Sequence, residues 1–199
     1  MAILPPETWK RLDDALAEAG VPAAAVTLFE PWLAMLTVMD LQIQKAGLDR
    51  EKGVERQLLA DEPDRETIGL ESALFQMELL AGLPRETQIA MLEDTLANPR
   101  GTENVIDLTL ATWQAGDLDL LALLVAPPGR SEHQILFHER VFVERNRGMA
   151  AGVQELLETP GRYFVTVGAG HTVGETGLPT LLREAGFLVR RIPRTPTAD

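Results

Sequence analysis

The sequence predicts a helix-rich α/β fold, in which a small mixed or parallel sheet with a C-terminal βαβ unit packs against many helices. Two observations predict it. The run Tyr163-Phe164-Val165-Thr166-Val167 is apolar, aromatic and β-branched, the signature of a buried strand. A helical pattern at about 176–185 separates it from a second such run, Phe187–Ile192, and strand, helix and strand within about thirty residues read as one right-handed parallel βαβ unit. A third observation qualifies the sheet. A strand apolar on both faces needs a neighbour on each side, yet only Thr67–Leu70 is a further candidate, so the sheet reads as incomplete.

In chain order, Pro5 and Pro6 open a helix with Trp9, Leu12 and Leu16 on one face, and Gly20 and Pro22 close it. A second helix starts at Pro31 and runs to about Gln44, with Gly47 as its stop. It is apolar round most of its circumference, but Asp40, Gln42 and Gln44 and its length predict a core or partner-facing helix, not a membrane span. Asp49 can cap a short helix through Gly53–Leu59, which Pro63 ends. Glu71 follows the Thr67–Leu70 strand, and Ser72 is an N-cap. Helices are expected at about 72–81, 84–97, 102–115 and 117–125, with Thr102 and Asp117 as N-caps and Gly116 as a stop. After Pro127-Pro128-Gly129, Ser131 caps a long helix to about Glu158. The tail from Pro193 is expected to fray. The organisation is one domain over 1–199, with a helical region at 5–158 and the βαβ unit at 162–192.

Composition narrows the function. The 199 residues carry a formal charge of −12, from 30 acidic and 18 basic side chains, which opposes nucleic acid and anionic membranes. No cysteine is present, so disulfides, thiolate metal sites and cysteine nucleophiles are excluded. No signal peptide and no run of about 18 apolar residues appear, and the chain as written reads as soluble. A strand with an open edge is a template for a second chain, so a homo-oligomer is expected.

Of three histidines, His133 and His138 read as surface residues. His138-Glu139 does not continue into a zincin motif, because Phe142 stands four residues on. His171 lies in a glycine loop after a strand, where ligands collect in α/β proteins. Gly168 and Gly170 supply the bare backbone that a bound cofactor or ligand can approach closely. Asn146 interrupts an apolar helix stripe of Phe142, Met149, Val153 and Leu156, and Arg145 stands beside it. A buried asparagine needs partners, either in a neighbouring loop as a structural bond or at His171. Glu71 is the third candidate, its plainer role being an acid at a helix start.

Leu4–Trp9, Lys45–Asp49 with Gly53–Glu55, Gly69–Ser72, Trp113–Leu118, Arg145–Met149, Val167–His171 and Gly177–Phe187, in this order and spacing, resemble the TraB/GumN family, which is related to the Tiki-type metalloproteases. The resemblance implies an α/β domain with two Gly-x-x-His motifs, an acidic residue and an arginine at a divalent-metal-dependent peptidase site. Manganese, cobalt or zinc would be the metal and a peptide or protein the substrate. Gly168 and His171 match the second motif, and Glu71, Arg145 and Asn146 match further family positions. The resemblance thus makes Glu71, Arg145, Asn146 and His171 the catalytic candidates, and His171 and Glu71 the metal ligands. Family members are often exported or membrane-anchored. Nothing before Leu4 matches the family's opening strand and first Gly-x-x-His motif, so the resemblance implies an incomplete sheet and an inactive hydrolase. The alternative is a non-catalytic module that binds a protein or peptide.

Overall fold

The computed structural model describes residues 4–97 and 99–192, without the side chains of Arg50 and 99–103. Helices α1 (Pro6–Glu18), α2 (Pro31–Lys45), α3 (Val54–Asp61), α4 (Ala73–Ala81), α5 (Arg85–Ala97), α6 (Pro99–Ala115), α7 (Leu118–Val125), α8 (Glu132–His138), α9 (Arg145–Glu158) and α10 (Leu178–Glu184) follow one another. A π-helical stretch, Glu139–Glu144, lies between α8 and α9. The expected punctuation operates locally. Ser72 Oγ accepts from the Phe75 amide at 3.0 Å, and Asp117 Oδ1 accepts from the Leu120 amide at 3.0 Å. Gly20 takes φ +71° after α1, where the Val21 amide returns to the Leu16 carbonyl at 2.9 Å, a closure that a Cβ would strain. α6 begins at Pro99 and not at Thr102; the cap expected at the Thr102 side chain, and the frayed tail from Pro193, lie outside the described residues.

The expected sheet is absent: among the described residues there is no strand, so the α/β class and its βαβ unit are replaced by an all-helical fold. The segments read as strands, 67–70, 162–168 and 187–192, are non-helical chain without ladder partners. Side-chain preference can favour an extended backbone, but a strand exists only through hydrogen bonds to a neighbour. Burial fails with pairing: Phe164 is 74% exposed, Leu188 85% and Ile192 89%.

Two compact units make up the chain, one of 1–108 with 130–137, the other of 109–129 with 138–199. In the first, Leu12 and Leu16 of α1, Ala34, Met35 and Val38 of α2, and Leu92 and Leu96 of α5 form the core. Two of its buried polar side chains are matched: Gln88 donates to the Leu83 carbonyl at 2.8 Å, and Thr8 donates to Glu93. His133 is not the surface residue its sequence context predicts, since its Nδ1 lies 3.0 Å from the hydroxyl of buried Thr87. α3 and α4 bury no residue. In the second unit, Leu121 of α7, Met149, Ala150 and Val153 of α9, and Val173 and Leu178 are buried, and α9 packs on α10. No helix among the described residues is long and apolar enough to cross a membrane.

Candidate functional site

The second unit builds a polar centre inside an apolar wall. A 3-10 turn, Ala169–Thr172, is closed by the His171 amide on the Gly168 carbonyl at 2.9 Å and by Thr172 Oγ1 on the Ala169 carbonyl at 2.7 Å. This turn presents the His171 ring inward, 8% exposed. Asn146, 1% exposed on α9, lies with its Oδ1 2.6 Å from His171 Nδ1. Its Nδ2 donates to the Thr176 carbonyl at 2.7 Å. That second bond fixes the amide: Oδ1 faces the ring, so the proton is on His171 Nδ1. In the neutral imidazole the lone pair is then on Nε2. Asn146 thus meets both partners its sequence context allowed, a carbonyl of a neighbouring loop and His171, 25 residues away.

Phe142 covers the ring. Its centroid is 5.2 Å from that of His171 with planes tilted by 36°, and 5.4 Å from that of His138 in a stacked arrangement. Phe142 belongs to the π-helical stretch just before Arg145, a distortion that often accompanies functional positions. His138 thus has a place in the site's wall. The sequence signal for it was the four-residue spacing of His138 and Phe142 on one helical face.

The glycines differ in their reasons. A Cβ on Gly170 would stand 2.9 Å from Phe142 Cε1 and 3.2 Å from Val125 Cγ2, so close packing demands glycine there. On Gly177 it would stand 2.5 Å from the Val173 carbonyl oxygen. Gly168 is under no such demand: its φ is −54°, and a Cβ would meet only His171 Cδ2, at 3.5 Å. Its bareness leaves space on the ring edge that carries Cδ2 and Nε2.

Arg145 is half-buried and donates from Nη1 to the Val141 carbonyl at 3.3 Å. Glu71 belongs to the first unit, next to the N-cap of α4, and accepts from Gln76 Nε2 at 3.3 Å. A hydrolytic metal site takes about three protein ligands. Among the described residues no group of three histidine, aspartate or glutamate side chains could hold an ion, so this donor set alone does not fit the expected metal. The chemistry on hand is that of one oriented imidazole.

A sequence profile of the TraB/PrgY/gumN family matches residues 1–191. The chain is 29% identical over 184 residues to a protein of Escherichia coli strain K12 called "Uncharacterized protein YbaP", a match covering 89% of the chain and 65% of the relative. A protein of the same name from Shigella flexneri matches to the same extent. The chain thus spans about two thirds of the length of these relatives, 65%. No solved structure is significantly similar.

Proposed function

The chain belongs to the TraB/PrgY/gumN family, and on that premise we propose that it carries the imidazole part of a hydrolase-type site acting on peptides or proteins. The observation that supports this reading is the Thr176–Asn146–His171 relay. It costs the fold a buried amide and a buried ring, and it fixes the orientation of the imidazole through Nδ1. A neutral asparagine orients the ring without adding the negative charge by which a carboxylate would favour imidazolium. It therefore suits a ring that works uncharged, as a proton acceptor from water or as a ligand. Arg145, next to Asn146 on the same helix, is the cation of this unit assigned to developing negative charge. The remaining groups of a complete site would come from elsewhere in the longer proteins of the family.

The test uses the three histidines as reporters. Nitrogen-15 spectra of the rings should show neutral His171 protonated on Nδ1, and Asn146→Ala should abolish that preference while His133 and His138 keep their signals. If neutral His171 carries its proton on Nε2, the hydrolase reading of His171 fails.

A second reading, a module that binds a protein or peptide without catalysis, is favoured by α4, where Leu74 is 63% and Met77 55% exposed. The two readings separate on whether His171→Ala or Leu74→Asp removes binding of a peptide mixture.

A further inference from the structure

Asn146 fixes which nitrogen of His171 carries the proton, but it does not by itself fix the plane of the ring. The second side-chain torsion of histidine is broad, with no staggered wells to hold it. A carbonyl oxygen accepts over a wide range of directions, so the imidazole can swing about the 2.6 Å Nδ1···Oδ1 line and keep the bond. A proton acceptor or ligand needs more, because its lone pair lies in the ring plane and must be aimed. A contact on the face of the ring removes that freedom.

Phe142 makes this contact. The two centroids are 5.2 Å apart and the planes are tilted by 36°, within the range in which aromatic rings attract one another. Phe142 is itself held in place. His138 stacks on it at 5.4 Å with an interplanar angle of 24°. Its Cε1 approaches Gly170 so closely that an added Cβ would stand 2.9 Å away. His138, Phe142 and Asn146 follow one another at four-residue steps, and the π-helical stretch Glu139–Glu144 lies between the first and the last. A π turn takes one residue more than an α turn, which re-aims the side chains on it. Asn146, just beyond the stretch, stays anchored on the Thr176 carbonyl at 2.7 Å.

We propose that Phe142 is a positioning residue: its phenyl face, backed by His138, sets the plane of the His171 imidazole, while Asn146 sets its tautomer. The role rests on the reading of His171 as the imidazole of a hydrolase-type site, and it adds a second determinant to that site.

The experiment is nuclear magnetic resonance on the intact chain with labelled histidine and methyl groups, comparing the wild type with Phe142→Leu. Leucine keeps the apolar character and removes the flat face. The order parameter of the His171 Cδ2–Hδ2 bond should be about 0.85 in the wild type, as in rigid backbone, and below about 0.6 in the variant. Neutral His171 should keep its proton on Nδ1 in both proteins, since Asn146 is untouched. The methyl groups of Met149 and Val153, buried on the same helix, should keep their order. Loosening there equal to that at His171 would make Phe142 a packing residue only and overturn the inference. So would a ring as rigid with leucine as with phenylalanine, or a ring already mobile in the wild type. Should circular dichroism show the leucine variant unfolded, Phe142→Met takes its place, because its unbranched chain adapts to irregular gaps. Failure of both to fold also overturns the positioning role. The two readings fail separately: a proton on Nε2 of neutral His171 sinks the hydrolase site, whereas an Nδ1 proton with a ring indifferent to Phe142→Leu sinks only the role of Phe142.

Discussion

Gly168 and Gly170 lie two residues apart in the turn that carries His171, and they are glycines for different reasons. At Gly170 a methyl group would press on Phe142 at 2.9 Å, and that ring is packed against two imidazoles. Gly170→Ala should therefore destabilise the protein by about 1–3 kcal/mol, the usual cost of overpacking, and shift the His171 ring resonances. At Gly168 a methyl group finds ordinary contact distance and an unremarkable φ, so Gly168→Ala should change stability by less than about 0.5 kcal/mol. It should nevertheless shift the His171 ring resonances, because the methyl group would stand 3.5 Å from Cδ2 of that ring. Chemical denaturation and the ring spectra measure both effects. Equal destabilisation by the two substitutions would show that the turn packs differently. At this scale the sequence was informative where polarity met an apolar stripe, as at Asn146. For His138 and Phe142 it offered only their four-residue spacing, because the tilt of stacked rings depends on the turn of a π-helical stretch that periodicity does not reveal.

Elements were legible where their cause is local. Proline starts, glycine stops and the caps at Ser72 and Asp117 act within one turn of the chain, so α1, α2, α4, α7 and α10 stand close to where punctuation places them. The strands failed because their cause is not local. Tyr163–Val167 has the side chains of a strand, but none of its backbone groups finds a partner among the described residues. Hydrogen exchange expresses this difference directly. Amides of 163–167 should exchange close to the rate of an unfolded chain, while those of Met149–Val153, buried on α9, should be protected by several orders of magnitude. Protection at Val165 comparable to that at Val153 would contradict the helical architecture.

For the whole molecule, charge and exposed apolar surface act against each other. A net charge of −12 keeps copies apart at neutral pH, and an isoelectric point near 4.7 means that this repulsion vanishes in mild acid. The apolar groups do not titrate: Phe164, Leu188 and Ile192 remain in water at every pH at which the fold persists. Lowering the pH from 7 toward 4.7 should therefore bring on extensive association, with a solubility minimum close to the isoelectric point. The sign follows from the carboxylates, whose protonation removes negative charge as the pH falls, while the arginines stay charged throughout. Replacing Phe164, Leu188 and Ile192 together by serine leaves the titratable groups untouched and removes only apolar surface. The triple variant should thus keep the same isoelectric point but stay in solution there at several times the concentration. Turbidity and light scattering on the two proteins, side by side from pH 7 to 4, measure it. If the triple variant precipitates as readily as the wild type, association is set by charge alone and these side chains are inert. If both remain clear at the isoelectric point, the apolar surface is covered in solution by contacts that do not depend on charge.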